Sequence, residues 1–325
     1  MAVPPTFGLI IPQRGSLFGL GTLPELLRLG VRAEESEHID ALWVGDSFTS
    51  KARAESIACL SALAGMTERV RLAVGCMGTF PVRDPAMFAY QWATLDQISN
   101  GRALLSVCNG LQGGGLSAAE GRHLGGIPDK ERAPRLEENI ALCRQLWTGE
   151  ATTFDGRFVQ YDDIRVLPTP VQDPCPIWIT ANPGAGSARE RILRRVATLA
   201  DGFQTVTMEP DALRSTLDEL QVHLDKAGRD PDNFPIGVYH NITIGDSRDD
   251  CFAEAQRFAI DYYGPGFMSG PALASMTAIG TPDECVASLR QLVASGATHI
   301  ALRLTSYDQP GQLERLLNDV LPAVV

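Results

Sequence analysis

Three stretches carry residue types that could do chemistry. Thr180-Ala181-Asn182-Pro183-Gly184-Ala185-Gly186-Ser187 leads from an apolar run into an amphipathic one. Its small residues let backbone amides approach an anion at a helix start, the way phosphates are often held. Ser187 and Glu190 also have the spacing of a capping box, so a plain capped helix is the alternative. Gly75-Cys76-Met77-Gly78 places two glycines around the end of another apolar run. That pattern suits a bulge, or backbone pressed against something flat. Asp46-Ser47 and His240 supply the groups for proton work. An imidazole titrates near neutrality, whereas a serine hydroxyl hydrogen-bonds well but is a poor base. Asp46 has a structural alternative, as a loop cap or as the ion-pair partner of Lys51 or Arg53. His240 has one as a satisfied core histidine.

Other chemistries find little support. No H-x-H, HExxH or clustered Cys/His pattern occurs, so no metal site is expected. No G-x-S-x-G is present for a nucleophilic serine.

These groups need strand ends to hold them. Apolar runs at 7–11, 41–45, 70–77, 103–108, 176–180, 203–206, 236–244 and 299–304 read as strands. Between them lie helical patterns over 23–37, 55–65, 85–99, 132–147, 187–198, 211–227, 248–263 and 282–294, with a last one at 311–321. Asp84-Pro85 starts one helix and Asn100-Gly101 stops it. Strands alternating with helices predict an α/β fold, a (β/α)8 TIM barrel, as one domain over 1–325. Three insertions interrupt it, at about 109–131, 150–165 and 262–276, the first and last following strands 4 and 7. Asp155-Gly156 marks a hairpin in the second. The first is glycine-rich and reads as a lid over the C-terminal ends of the strands, where barrel sites sit.

Composition narrows the partners. The net charge of -11 argues against nucleic acid and anionic membranes. No apolar run approaches a membrane span, and the first residues lack a signal-peptide pattern. The seven cysteines form no C-x-x-C pair, which suits free thiols in a reducing cytoplasm.

The segment VRLAVGCMGTFPVRDPAMFAYQWATLDQISNGRALLSVCNG resembles the third strand, third helix and fourth strand of the bacterial luciferase-like flavin and deazaflavin oxidoreductases. AEESEHIDALWVGDSF, LADGF and IGTPDECVASLRQLVASGATHIALRL also resemble segments of that family, in family order. The resemblance implies a non-proline cis peptide at Gly75-Cys76 behind a flavin ring. It implies cofactor contacts from Gly75, Cys76, Met77, Asn109 and Gly110. It places the cofactor phosphate on Thr180, Ala181, Asn182, Gly184 and Ala185. Ser47 stands where many members carry a proton-transferring His, so Asp46, Ser47 and His240 are the candidate catalytic residues.

The activity implied is that of a monooxygenase, with reduced FMN from a separate flavin reductase and O2 oxidising a small organic substrate. The alternative is hydride transfer with the deazaflavin coenzyme F420. A non-catalytic flavin-binding protein is a further one. The resemblance also implies a homodimer.

Overall fold

The computed structural model describes residues 4–110, 115–206, 209–264 and 270–324. Strands β1 (Thr6–Ile10), β2 (Ala41–Val44), β3 (Arg71–Met77) and β4 (Ala103–Val107) alternate with helices α1 (Leu23–Glu34), α2 (Ser56–Ala64) and α3 (Pro85–Ile98). Helices α4 (Gly115–His123) and α5 (Asp129–Leu146) follow, then a hairpin of β5 (Thr152–Asp155) and β6 (Gln160–Ile164). Next come β7 (Ile177–Thr180), α6 (Ser187–Leu199), β8 (Gly202–Val206), α7 (Pro210–Lys226), β9 (Ile236–Ile244) and α8 (Arg248–Tyr263). The chain ends with α9 (Gly270–Ser275), β10 (Thr277–Gly280), α10 (Pro282–Ala294), β11 (His299–Leu304), α11 (Gln309–Arg315) and α12 (Leu321–Val324).

The strand order is β10-β9-β11-β1-β2-β3-β4-β7-β8, and β8 also pairs with β9. Eight strands therefore close on one another, the (β/α)8 barrel that the alternation predicts. By contacts the chain divides into two compact units, residues 1–43 with 180–325 and residues 44–179. The second insertion is the predicted antiparallel hairpin. Of the first, residues 111–114 lie outside the described residues, and 115–123 form α4 where a loop was predicted. Residues 265–269 of the last insertion also lie outside them. Its remainder supplies the end of α8 and all of α9, and β10 follows directly; neither α9 nor β10 stands out in a run of small residues. β10 pairs parallel to the far half of β9, from Asn241 to Ile244.

Within residues 44–179, the segment that carries the resemblance holds itself together through buried charge. The Asp84 carboxylate caps α3 by accepting from Met87 N at 2.8 Å, and Pro85 occupies the first turn. Asn100 and Gly101 take positive φ, 54° and 80°, and end the helix as the sequence predicts. The fully buried Asp96 accepts from the amides of Val171 at 2.8 Å and Gln172 at 3.0 Å, and from Gln172 Nε2 at 2.7 Å. Arg102 donates to the carbonyls of Ser99, Val70, Ala64 and Thr67 at 2.8–3.0 Å, closing the turn between α3 and β4. Asp96 and Arg102 thus both act on the scaffold.

Removing the Asp96 carboxylate strands buried amides without an acceptor, which costs more than the lost bonds themselves. Asp96→Ala is expected to lower stability by about 3 kcal/mol. Urea unfolding checks this; a change below about 1 kcal/mol would contradict it.

Candidate functional site

In residues 44–179 the ends of β2, β3 and β4 lie close together. The ladder between β3 and β4 shifts between Val74 and Met77, the bulge that the two glycines predict. The Gly75-Cys76 peptide is cis, the geometry that the resemblance implies for this place. A Cβ at Gly78 would touch Asp46 O and Gly110 Cα at 3.5 Å. At Gly110, φ is 72°, and a Cβ would lie 2.8 Å from Gly78 O and 2.7 Å from an Arg132 guanidinium nitrogen. Only glycine allows so close a backbone approach. The Asn109 side-chain oxygen is buried with no hydrogen-bond partner. A buried polar atom of this kind is expected to have one, so it fits a donor on a bound ring. Met77, by contrast, is fully buried, and its carbonyl accepts from Cys108 N at 3.4 Å.

Asp46 pairs with neither Lys51 nor Arg53, the partners that its neighbourhood in sequence suggests. Its Oδ2 accepts from Thr79 N at 2.8 Å and Thr79 Oγ1 at 2.6 Å. Its Oδ1 accepts from Ser56 Oγ at 3.0 Å and from Arg83 at 3.1 Å. Arg83 binds Thr79 Oγ1 and Glu55 as well, at 2.7 and 2.9 Å. The carboxylate is 4% exposed and engaged on both oxygens, a clamp between the β2 and β3 ends.

Ser47 belongs to a second, part-buried network whose centre the sequence reading missed. Glu120, on α4, is 5% exposed. Its carboxylate accepts from the amides of Phe48 and Thr49 and from the hydroxyls of Ser47 at 3.3 Å and Ser50 at 2.7 Å. Ser47 Oγ lies 2.7 Å from Ser50 Oγ and accepts from Lys51 N at 3.0 Å. Arg132, on α5 and 1% exposed, donates to Asn109 O at 3.3 Å and pairs with Asp129. The one signal in the sequence was a few charged residues set among glycines and alanines.

Cys76 and Cys108 are joined as a disulfide, with Cα atoms 5.9 Å apart, against the expectation of seven free thiols. The bulge takes Cys76 out of the ladder and lets its sulfur meet the first residue beyond β4. Cys59, Cys143, Cys175, Cys251 and Cys285 are free and buried. Among the described residues, no group of His, Cys, Asp and Glu could hold a metal ion.

In residues 180–325 the proposed anion loop leads into α6. Gly186, not a side chain, is the N-cap; it takes φ 70° and makes no side-chain cap bond. Ser187 is already inside the first turn, so the predicted capping box with Glu190 does not form, and Ser187 Oγ instead accepts from Arg191 at 3.2 Å. A Cβ at Gly184 or Gly186 would meet nothing within 4 Å. An uncapped first turn behind an open small-residue loop fits a phosphate.

Behind it, Thr180 Oγ1 donates to Gln204 Oε1 at 2.8 Å, and Ala181 N to Gln204 O at 2.9 Å. Asn182 Oδ1 accepts from Thr205 Oγ1 and Val206 N, both at 2.9 Å. The Gln204 amide nitrogen is a buried donor with no partner. Arg189 turns back to Pro183 O at 3.1 Å and Glu219 at 2.8 Å.

His240 is in register with Leu302, and Leu302 with Leu9. It therefore sits in an apolar row, on the sheet face opposite Tyr239 and Arg303. Neither ring nitrogen has a hydrogen-bond partner, and burial lowers its pKa to about 4. Arg303 on the other face stacks on Tyr262, 3.9 Å from the ring centroid, and donates to the hydroxyls of Tyr262, at 2.9 Å, and Tyr263.

With the geometry described, comparison with known proteins decides the family. The family model for luciferase-like monooxygenases matches residues 6–299. The chain belongs to that family. Among its relatives is an F420-dependent glucose-6-phosphate dehydrogenase of Nakamurella multipartita, 28% identical over 332 residues, covering 92% of this chain and 91% of the relative. A 5,10-methylenetetrahydromethanopterin reductase of Archaeoglobus fulgidus is 25% identical over 71% of this chain and 65% of its own. The structure of an F420-dependent secondary alcohol dehydrogenase superposes with a TM-score of 0.83 at 19% identity, over 99% of this chain and 100% of that one. A monooxygenase of Streptomyces bottropensis gives 0.80 at 20% identity, over 98% and 100%. The last two show the shared barrel. This luciferase-like chain is an oxidoreductase.

The neutral His240 has a measurable consequence. Above pH 6.5 it is uncharged whether folded or unfolded. As pH falls towards 4, the unfolded chain takes up a proton that the folded chain refuses, so stability drops. From pH 7 to 4.5 this costs about 2–3 kcal/mol. His240→Leu is expected to remove that part of the acid loss, measured as the difference between urea midpoints of variant and wild type at the two pH values. Parallel pH profiles would contradict the assignment.

Proposed function

We propose that this protein transfers hydride between the deazaflavin coenzyme F420 and a small organic substrate. The observation that carries the reading is the alignment over nine-tenths of the chain with relatives named as F420-dependent dehydrogenases. It favours this reading over that of an FMN-dependent monooxygenase, which neighbours alike in fold support. When bound, F420 supplies a two-electron hydride carrier that works without dioxygen, and no separate flavin reductase is then needed.

The chain's own groups divide the work. The uncapped amides at the start of α6 suit the coenzyme phosphate. Asn109 offers an unengaged carbonyl oxygen to a ring N–H, and Gln204 an unengaged amide N–H to an acceptor. Ser47 is the one candidate proton-handling group that carries a hydroxyl at a strand end, and Glu120 fixes its orientation. Asp46 holds the loop and takes no part in proton transfer. His240, neutral in an apolar row, takes none either.

Titration of the purified protein with F420 and with FMN, followed by absorbance and fluorescence, tests this. F420 is expected to bind at least tenfold more tightly than FMN. Asn109→Ala is expected to weaken F420 binding about tenfold, the loss of about 1.4 kcal/mol. Tighter binding of FMN, with reduced FMN and O2 consumed in the presence of an organic substrate, would restore the monooxygenase reading.

A further inference from the structure

We propose that Cys76 and Cys108 form a reversible thiol–disulfide site, exchanging with low-molecular-weight dithiols, that sets how firmly the ends of β3 and β4 are held. The consequence for the cofactor rests on the F420 reading above; the chemistry of the pair does not.

Access is the first argument. Both cysteines are half-buried, whereas the five others are buried. Burial pushes the Cys59 thiol up to about 11 and the Cys285 thiol up to about 12, so neither offers a thiolate near neutral pH. A soluble thiol therefore meets this pair before the other cysteines.

Reactivity is the second. The Gly110 amide donates to Cys108 Sγ at 3.4 Å. An N–H aimed at sulfur stabilises the thiolate more than the thiol, so Cys108 is the better leaving sulfur when the disulfide is attacked.

What the bond fastens is the third argument. The ladder between β3 and β4 is irregular from Val74 to Met77, and Cys108 N reaches Met77 O only at 3.4 Å. Backbone bonding is thus weakest where Gly75, Cys76, Asn109 and Gly110 come together. The disulfide, spanning 32 residues of sequence, supplies the firm connection there.

The reaction balances with a dithiol as reductant. Its first thiolate attacks Cys76 Sγ, the sulfur–sulfur bond breaks, and Cys108 leaves as a thiolate that takes a proton. The second thiol of the reagent then displaces Cys76 and closes into a cyclic disulfide. Two electrons and two protons pass from the dithiol to the pair, and the cyclic disulfide reverses the process.

The test uses the full chain, equilibrated with dithiothreitol and its cyclic disulfide at fixed ratios, acid-quenched and titrated for thiols in denaturant. Five free thiols are expected in the oxidised state and seven in the reduced state, interconverting with the ratio. Hydrogen exchange at residues 75–78 and 108–110 is expected to quicken at least tenfold on reduction, and the F420 Kd to rise at least about fivefold. Cys108→Ser is expected to show the faster exchange at every ratio.

Seven thiols at all ratios, or exchange rates unchanged by reduction, would overturn the site. A changed thiol count with an unchanged F420 Kd would overturn its hold on the cofactor. If neither state binds F420, the functional reading fails, while thiol count and exchange still decide for or against the pair.

Discussion

Buried carboxylates that accept backbone amides hold the strand-end loops of residues 44–179 in place. A loop amide taken out of water needs an acceptor, and an irregular loop has no ladder to provide one. Asp96 serves Val171 and Gln172, Asp46 serves Thr79, and Glu120 serves Phe48 and Thr49. Glu138, itself only half-buried, accepts from Arg157, Phe158 and Val159 in the hairpin turn. A carboxylate suits this task because bonds to a charged acceptor are about twice as strong as neutral ones.

This arrangement separates acids that shape the site from groups that face a ligand. Asp46 looks catalytic by its position at a strand end, yet both oxygens are committed to Thr79, Ser56 and Arg83. Among the buried groups left without a partner are two neutral amides, Asn109 Oδ1 and Gln204 Nε2, and the first turn of α6 has no side-chain cap. Neutral hydrogen-bonding groups suit a bound ring and its phosphate: they orient without adding charge. Just beyond β2, the Ser47 hydroxyl is held in direction by its bond to Glu120.

Most of the scaffold could be read from local signals. Periodicity placed the eight barrel strands, Asp84 and Asn100-Gly101 bounded α3, and Asp155-Gly156 marked the hairpin. These depend on neighbours a few residues away. The site's architecture does not. Glu120 accepts from donors some 70 residues earlier, Asp46 finds Arg83 rather than a nearby cation, and Cys76 finds Cys108 across a bulge. Such partners are chosen by tertiary packing, and no spacing rule announces them. Ser187 failed as a cap for a subtler reason: Gly186 could take positive φ, and the helix began one residue earlier than a serine cap requires.

Amide hydrogen exchange at Phe48, Thr49 and Thr79, in wild type and Glu120→Ala, tests the role of these acids most directly. The account expects exchange at Phe48 and Thr49 to rise at least tenfold in the variant, while Thr79, held by Asp46, keeps its rate. Unchanged rates at Phe48 and Thr49, or an equal rise at all three, would contradict it.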